Sequence, residues 1–125
     1  MSEMREIIFR GKTVCDGDWV YGGITWNSSR KKFFIHTDWE EAKVIPETVG
    51  QYTGLTDKSG LTKIFEGDII NGNLGNFVVR WSDNISGFVA GEKERTHPCM
   101  NRGTMKCYEV IGNIYDNPEL MENSK

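Results

Sequence analysis

Two short apolar runs, Val49 Gly50 Gln51 Tyr52 Thr53 Gly54 Leu55 and Leu61 Thr62 Lys63 Ile64 Phe65, flank Asp57 Lys58 Ser59 Gly60. An Asp side chain can bond its own backbone, and Gly takes positive φ at no steric cost, so the segment predicts a β-hairpin. Gly67 and Asp68 turn the chain again before Ile69 and Ile70. Apolar runs this short, punctuated this often, leave no room for a long amphipathic helix, and nowhere do apolar residues keep helical spacing over three turns. The chain carries 14 Gly against 3 Pro, a bias toward turns that again favours strands.

The rest of the chain repeats the theme. Asp16 Gly17 separates Ile7–Val14 from Trp19 Val20 Tyr21 and Ile24, a second hairpin. Asn27 Ser28 Ser29 Arg30 turns into a third strand, Lys32 Phe33 Phe34 Ile35 His36. Thr37 and Glu40 have the spacing of a capping box, so a short helical turn is expected near 37–42, ended by Pro46. Phe77, Val79 and Trp81 alternate with Val78 and Arg80, the period of a half-buried strand, and Gly87 Phe88 Val89 Ala90 is its hairpin arm. Residues 91–104 are polar and mixed in charge and are expected to form a contact loop. Residues 105–115 predict a final strand, central because both its faces are apolar, and Asn117 Pro118 Glu119 predicts a helical turn over 117–122. With 125 residues, one mainly β domain spanning 1–125, a small barrel or sandwich, is the expected organisation.

Charge and cysteines narrow the function classes. The formal net charge is −3, which supplies no global attraction to nucleic acid or anionic membranes. The start of the chain lacks the apolar core of a signal peptide, and no run approaches the length of a membrane span, so a soluble intracellular protein without membrane contact is expected. Three Cys make no disulfide framework and fit a reducing compartment.

Candidate chemistry is sparse. His97, Cys99 and Cys107, with His36 or Cys15, offer soft metal ligands, but no Cys pair has zinc-knuckle spacing, so no metal and no cofactor are expected. Asp68 has no second carboxylate or His close in sequence, and it is expected to bond nearby backbone rather than to act as a catalyst. Gly72 Asn73 Leu74 Gly75 lacks the Lys-Ser/Thr of a phosphate loop and is expected to be a hairpin turn. Cys15 has no catalytic neighbour pattern, and a non-enzymatic protein is expected. Contact candidates remain. Arg30, Lys31 and Lys32 mingle with Phe33, Phe34, Trp26 and Trp39, as single-strand binders require, although Glu40 and Glu41 dilute the field. One or two of the four Trp are candidate exposed anchors for a protein partner, and Trp39, with Glu92, Lys93, Arg95 and Arg102 of the polar stretch, is among the candidate contact residues.

Gly50, Gln51, Tyr52, Gly54, Leu55, Asp57 and Gly60, followed by Phe65 Glu66 Gly67 Asp68 Ile69 Ile70, resemble the central motif of the YopX family of bacteriophage and prophage proteins. Arg5–Lys12 at one end, and Gly112, Asn113, Tyr115 and Pro118 within residues 110–120 at the other, resemble that family's two ends, so the likeness covers essentially the whole chain. It implies a mostly β domain containing an SH3-like barrel, of phage or prophage origin, made in the bacterial cytoplasm. It brings no catalytic or cofactor residues with it. The expected role is therefore that of an accessory protein acting through a protein partner or self-association, with nucleic-acid binding by the basic and aromatic stretch as the alternative. Specificity is expected in residues 26–43 and 91–106, where the motif is silent.

Overall fold

The Asp16–Gly17 turn folds as its sequence requires, with Gly17 at φ 76°, and joins β1 (Phe9–Lys12) to β2 (Trp19–Asn27) in an antiparallel ladder. The computed structural model describes residues 5–92, 95–96 and 100–122. The chain is mainly β, with two antiparallel sheets and few short helices, and it divides into two compact units at Tyr52/Thr53.

In the first unit β3 (Lys32–His36) pairs with β2, and β4 (Glu41–Val44) with β3. On the far side β1 pairs with the start of β5 (Gly50–Thr56), giving the strand order β4-β3-β2-β1-β5. Period-2 alternation decides what each strand buries: Ala42 and Val44 are buried while Glu41 and Lys43 are exposed. Ile35 and Val44 close over Gly11, where an added Cβ would sit 3.1 Å from the Val44 Cβ. Past β1 the chain meets β4: Thr13 bridges Val44, the Val14 N–H donates to the Lys43 carbonyl (3.0 Å), and the Ile45 N–H donates to the Lys12 carbonyl (2.8 Å). Buried Arg10 carries its guanidinium 4.6 Å from the centre of the Trp19 ring, a cation–π contact that suits a charge removed from water.

The expected helical turn at 37–42 does not form. The Thr37 hydroxyl accepts N–H bonds from Trp39 and Glu40 (3.1 Å each), as a cap would. The Thr37 N–H then donates to the Glu40 carbonyl and the chain returns as β4. Ladder pairing and burial of Ala42 and Val44 outweigh one capping signal.

In the second unit β5 runs on past Tyr52, with β6 (Lys63–Phe65) beside it. The second sheet has the order β10-β9-β8-β7-β11, built from β7 (Asp68–Gly72), β8 (Gly75–Ser82), β9 (Gly87–Glu92), β10 (Arg95–Thr96) and β11 (Glu109–Asn113). Its core is Ile64, Ile70, Phe77, Val79, Ala90, Met105 and Tyr108, with Leu55, Met100 and Val110 packed against it.

Two expectations fail here for one reason. Residues 91–104 are not a plain loop, because β9 reaches Glu92, β10 follows, and α1 (Arg102–Met105) begins on an Asn101 cap whose Oδ1 accepts the Thr104 N–H (2.8 Å). The last strand is correspondingly short and lies at the sheet edge. Of the residues whose alternation implied a central strand, Tyr108 is buried before β11 begins and Val110 packs on the core from within it, while Cys107 and Ile111 on the other face are exposed. The expected terminal turn is present as α2 (Glu119–Glu122).

Asp57 ties this unit together. Its carboxylate accepts the Ser59 N–H (3.0 Å) and hydroxyl (2.6 Å) and, across 53 residues, the Val110 N–H (3.0 Å). Burial opposes its ionisation, but the hydrogen bonds from Ser59 and Val110 and the nearby Lys58 charge outweigh it, so the carboxyl titrates below its ordinary range. A lowered folded-state pKa contributes stability that is complete above the unfolded value of about 3.9 and is lost as pH falls through the folded value. Asp57→Asn should therefore cost about 1–3 kcal/mol at neutral pH and flatten the loss of stability below about pH 4, read by urea denaturation. Gly67→Ala should also destabilise, by roughly 1–3 kcal/mol, because Gly67 sits at φ 91° and its new Cβ would lie 2.8 Å from the Tyr115 ring. Gly17→Ala, equally left-handed but facing open space, should cost about 1 kcal/mol in the same assay.

Candidate functional site

The two ends of β3 carry the surface features of the first unit. At one end the β2–β3 turn is closed by Asn27, whose Oδ1 accepts the Arg30 N–H (2.9 Å) and whose carbonyl accepts the Lys31 N–H (2.7 Å). Lys31 is held at φ 57°. Arg30, Lys31 and Lys32 are all exposed there, and Trp26, itself 52% exposed, lies 4.9 Å from the Phe33 ring. Phe34 is buried. The basic residues and one half-exposed tryptophan therefore share a tip.

At the other end the Thr37 turn presents Trp39, 91% exposed, among exposed Asp38, Glu40 and Glu41. Trp39 is thus separated from the basic tip by the length of β3. Next to this turn lies an open cleft of about 460 Å³, walled by residues 13–16 and 40–43. The Thr13 hydroxyl donates to the Asp16 carboxylate; that bond first, and the Asp18 N–H second, lower the Asp16 pKa and keep it ionised. Cys15 is an exposed free thiol. His36 Nε2 lies 2.7 Å from the Thr25 hydroxyl and 3.4 Å from Glu41. Nothing in the spacing of residues 13–16 announced this cleft; the signal available was the acidic run at 38–41, which diluted the basic patch in the sequence.

The second unit gathers fewer candidates. Arg102 is exposed in α1, and Glu92 and Arg95 lie in β9 and β10. Lys93, His97 and Cys99 fall outside the described residues, and Cys107 is exposed. Among the described residues no three His, Cys, Asp or Glu side chains are placed to hold a metal ion, and no helix is long and apolar enough to cross a membrane. Buried Asp68 accepts the Phe65 N–H (2.7 Å), a backbone role.

The motif residues have conformational work. Gly50 and Gln51 pair with Arg10 and Phe9, and the Tyr52 N–H donates to the Ile8 carbonyl. Gly54 and Gly60 sit at φ 90° and 75°, and Leu55 packs on the core. At Gly112 a Cβ would meet the Asn117 Oδ1 at 2.5 Å. Asn113 Oδ1 accepts the N–H groups of Tyr115 and Asp116, and the Pro118 carbonyl accepts the Met121 N–H in the terminal turn.

Two antiparallel sheets with these turn-forming residues define a small, mainly β protein. A family model described as YopX protein matches residues 9–122, and the chain belongs to the YopX family. The fold is similar to the crystal structure of protein EF1440 from Enterococcus faecalis, with a TM-score of 0.67 at 20% identity over 94% of this chain and 99% of that one. No curated protein matches the chain.

The exposure of Trp39 makes a direct expectation. Trp39→Ala should change unfolding stability by less than about 0.5 kcal/mol, while removing the fluorescence component most accessible to iodide quenching.

Proposed function

We propose that this YopX-family protein is a non-enzymatic accessory protein of phage or prophage origin, acting in the bacterial cytoplasm by protein–protein contact or self-association. The observation that carries the reading is Trp39: a large aromatic side chain 91% exposed on a turn fixed by two bonds to the Thr37 hydroxyl. A tryptophan on a hydrogen-bonded turn has only two side-chain torsions to order on docking and supplies the kind of anchor that dominates interface energies. The phage origin and the cellular compartment rest on family resemblance. We also infer that the first unit curls toward the SH3-like barrel expected of the family, on the strength of the Thr13–Val44 bridge beyond the end of β1.

A second reading has its own observation. Arg30, Lys31 and Lys32 project from a tight turn beside half-exposed Trp26, a charge and stacking pair suited to single-stranded nucleic acid.

Two measurements separate these readings. The full chain should form a complex, with itself by light scattering or with a host protein by affinity capture, that weakens about tenfold or more in Trp39→Ala. A strict monomer that captures nothing would sink the contact reading. A salt-sensitive gel shift with a single-stranded oligonucleotide, lost when Arg30, Lys31 and Lys32 become Gln, would establish the nucleic-acid reading in its place.

A further inference from the structure

The cleft beside β4 is an open strand edge. The Thr37 N–H donates to the Glu40 carbonyl, which makes those two a hydrogen-bonded pair. Such pairs alternate along an antiparallel ladder, so Ala42 bonds to Ile35 while Glu41 and Lys43 turn their N–H and C=O groups away from β3. The Lys43 carbonyl confirms the direction by accepting the Val14 N–H. Beyond that bond the neighbouring chain leaves the edge: the Gly17 N–H returns to the Thr13 carbonyl (3.0 Å) and the Asp16 N–H to the Thr13 hydroxyl (3.4 Å). The outward N–H and C=O of Glu41 meet no ladder partner among the described residues, and the 460 Å³ cleft opens in front of them.

Charge selects the occupant. The walls carry Asp16, Glu40 and Glu41 against the single cation Lys43, a formal charge of −2. A second copy would bring the same acidic edge and be repelled, whereas Lys and Arg side chains would meet carboxylates on both walls. Trp39, adjacent in sequence to Glu40 and fully outside, offers a ring face to a cationic side chain.

We propose that this cleft binds an extended, Lys/Arg-rich segment of a partner protein, which adds to β4 as a strand through the Glu41 backbone while its basic side chains face Asp16, Glu40 and Glu41. Main-chain bonds supply the attachment and the carboxylates the selectivity. The proposal rests on the contact reading above and names the partner's chemistry.

The test uses the full chain and three fluorescent peptides in an anisotropy titration. A peptide of alternating Lys and Val should bind. Its alternating Glu and Val counterpart should bind at least about tenfold more weakly, and so should the Lys/Val peptide N-methylated at every residue, which keeps every charge but offers no N–H to a ladder on either edge. Binding of the first peptide should fall about five- to tenfold in Glu40→Gln/Glu41→Gln. Glu41→Pro, which removes an outward N–H and the exposed Glu41–His36 contact (3.4 Å) but no backbone bond to β3, should weaken it at least as much, with little change in melting temperature. Equal binding of the methylated peptide, absence of binding, or indifference to the Gln substitutions overturns the proposal, as does a self-complex that Glu41→Pro dissolves. If Trp39-dependent capture persists when the peptides fail, the contact reading survives without strand addition; if both fail, both fall.

Discussion

One buried carboxylate organises the second unit. Isolated in an apolar setting, the charge of Asp57 would be heavily penalised. Its oxygens instead take three hydrogen bonds, two from Ser59 inside the turn and one from Val110 on β11. The same side chain thus shapes the β5–β6 turn and fixes the edge of the second sheet to it. The neighbouring Lys58 N–H adds a bond to the Tyr108 carbonyl (2.8 Å), which places the Tyr108 ring against Phe77 and over Gly72. A chain whose contacts are this distant in sequence needs such a clasp, because the entropy of closing the intervening loop is offset only when the ends bond well.

Most of the strand plan was legible because turns are written locally. Asp16 Gly17, Asp57 Lys58 Ser59 Gly60 and Gly67 Asp68 each declare themselves by residue type, and each is a turn. What could not be read was which of two competing local signals wins. Thr37 does bind the N–H groups a cap should bind, yet the chain after it becomes β4, because burying Ala42 and Val44 against β3 depends on residues far outside the capping box. Likewise one face of the 105–115 alternation does reach the core, through Tyr108 ahead of β11 and Val110 within it, but Cys107 and Ile111 on the other face are exposed, so the pattern overstated the strand. Periodicity reports burial, and only topology says which element delivers it.

The surface was legible in composition and not in grouping. Basic and aromatic residues between 26 and 39 read as one patch in sequence, while β3 carries them to opposite ends, Trp26 with Arg30–Lys32 at one and Trp39 with three carboxylates at the other. The cleft was invisible because half of it comes from residues 13–16, which meet β4 through the Thr13–Val44 bridge and the Val14–Lys43 bond, contacts distant in sequence.

That bridge explains why an open edge survives where it does. An unpaired strand edge is an aggregation hazard, and proteins blunt it by covering it, shortening it or charging it. Here β4 is four residues long, its far end is covered by Thr13 and Val14, and the remainder carries Glu41 beside Glu40. Those carboxylates discourage pairing with a second acidic edge by like-charge repulsion. A basic strand would meet those carboxylates as attraction, so under the strand-addition proposal the charge that blunts the edge also selects what it admits.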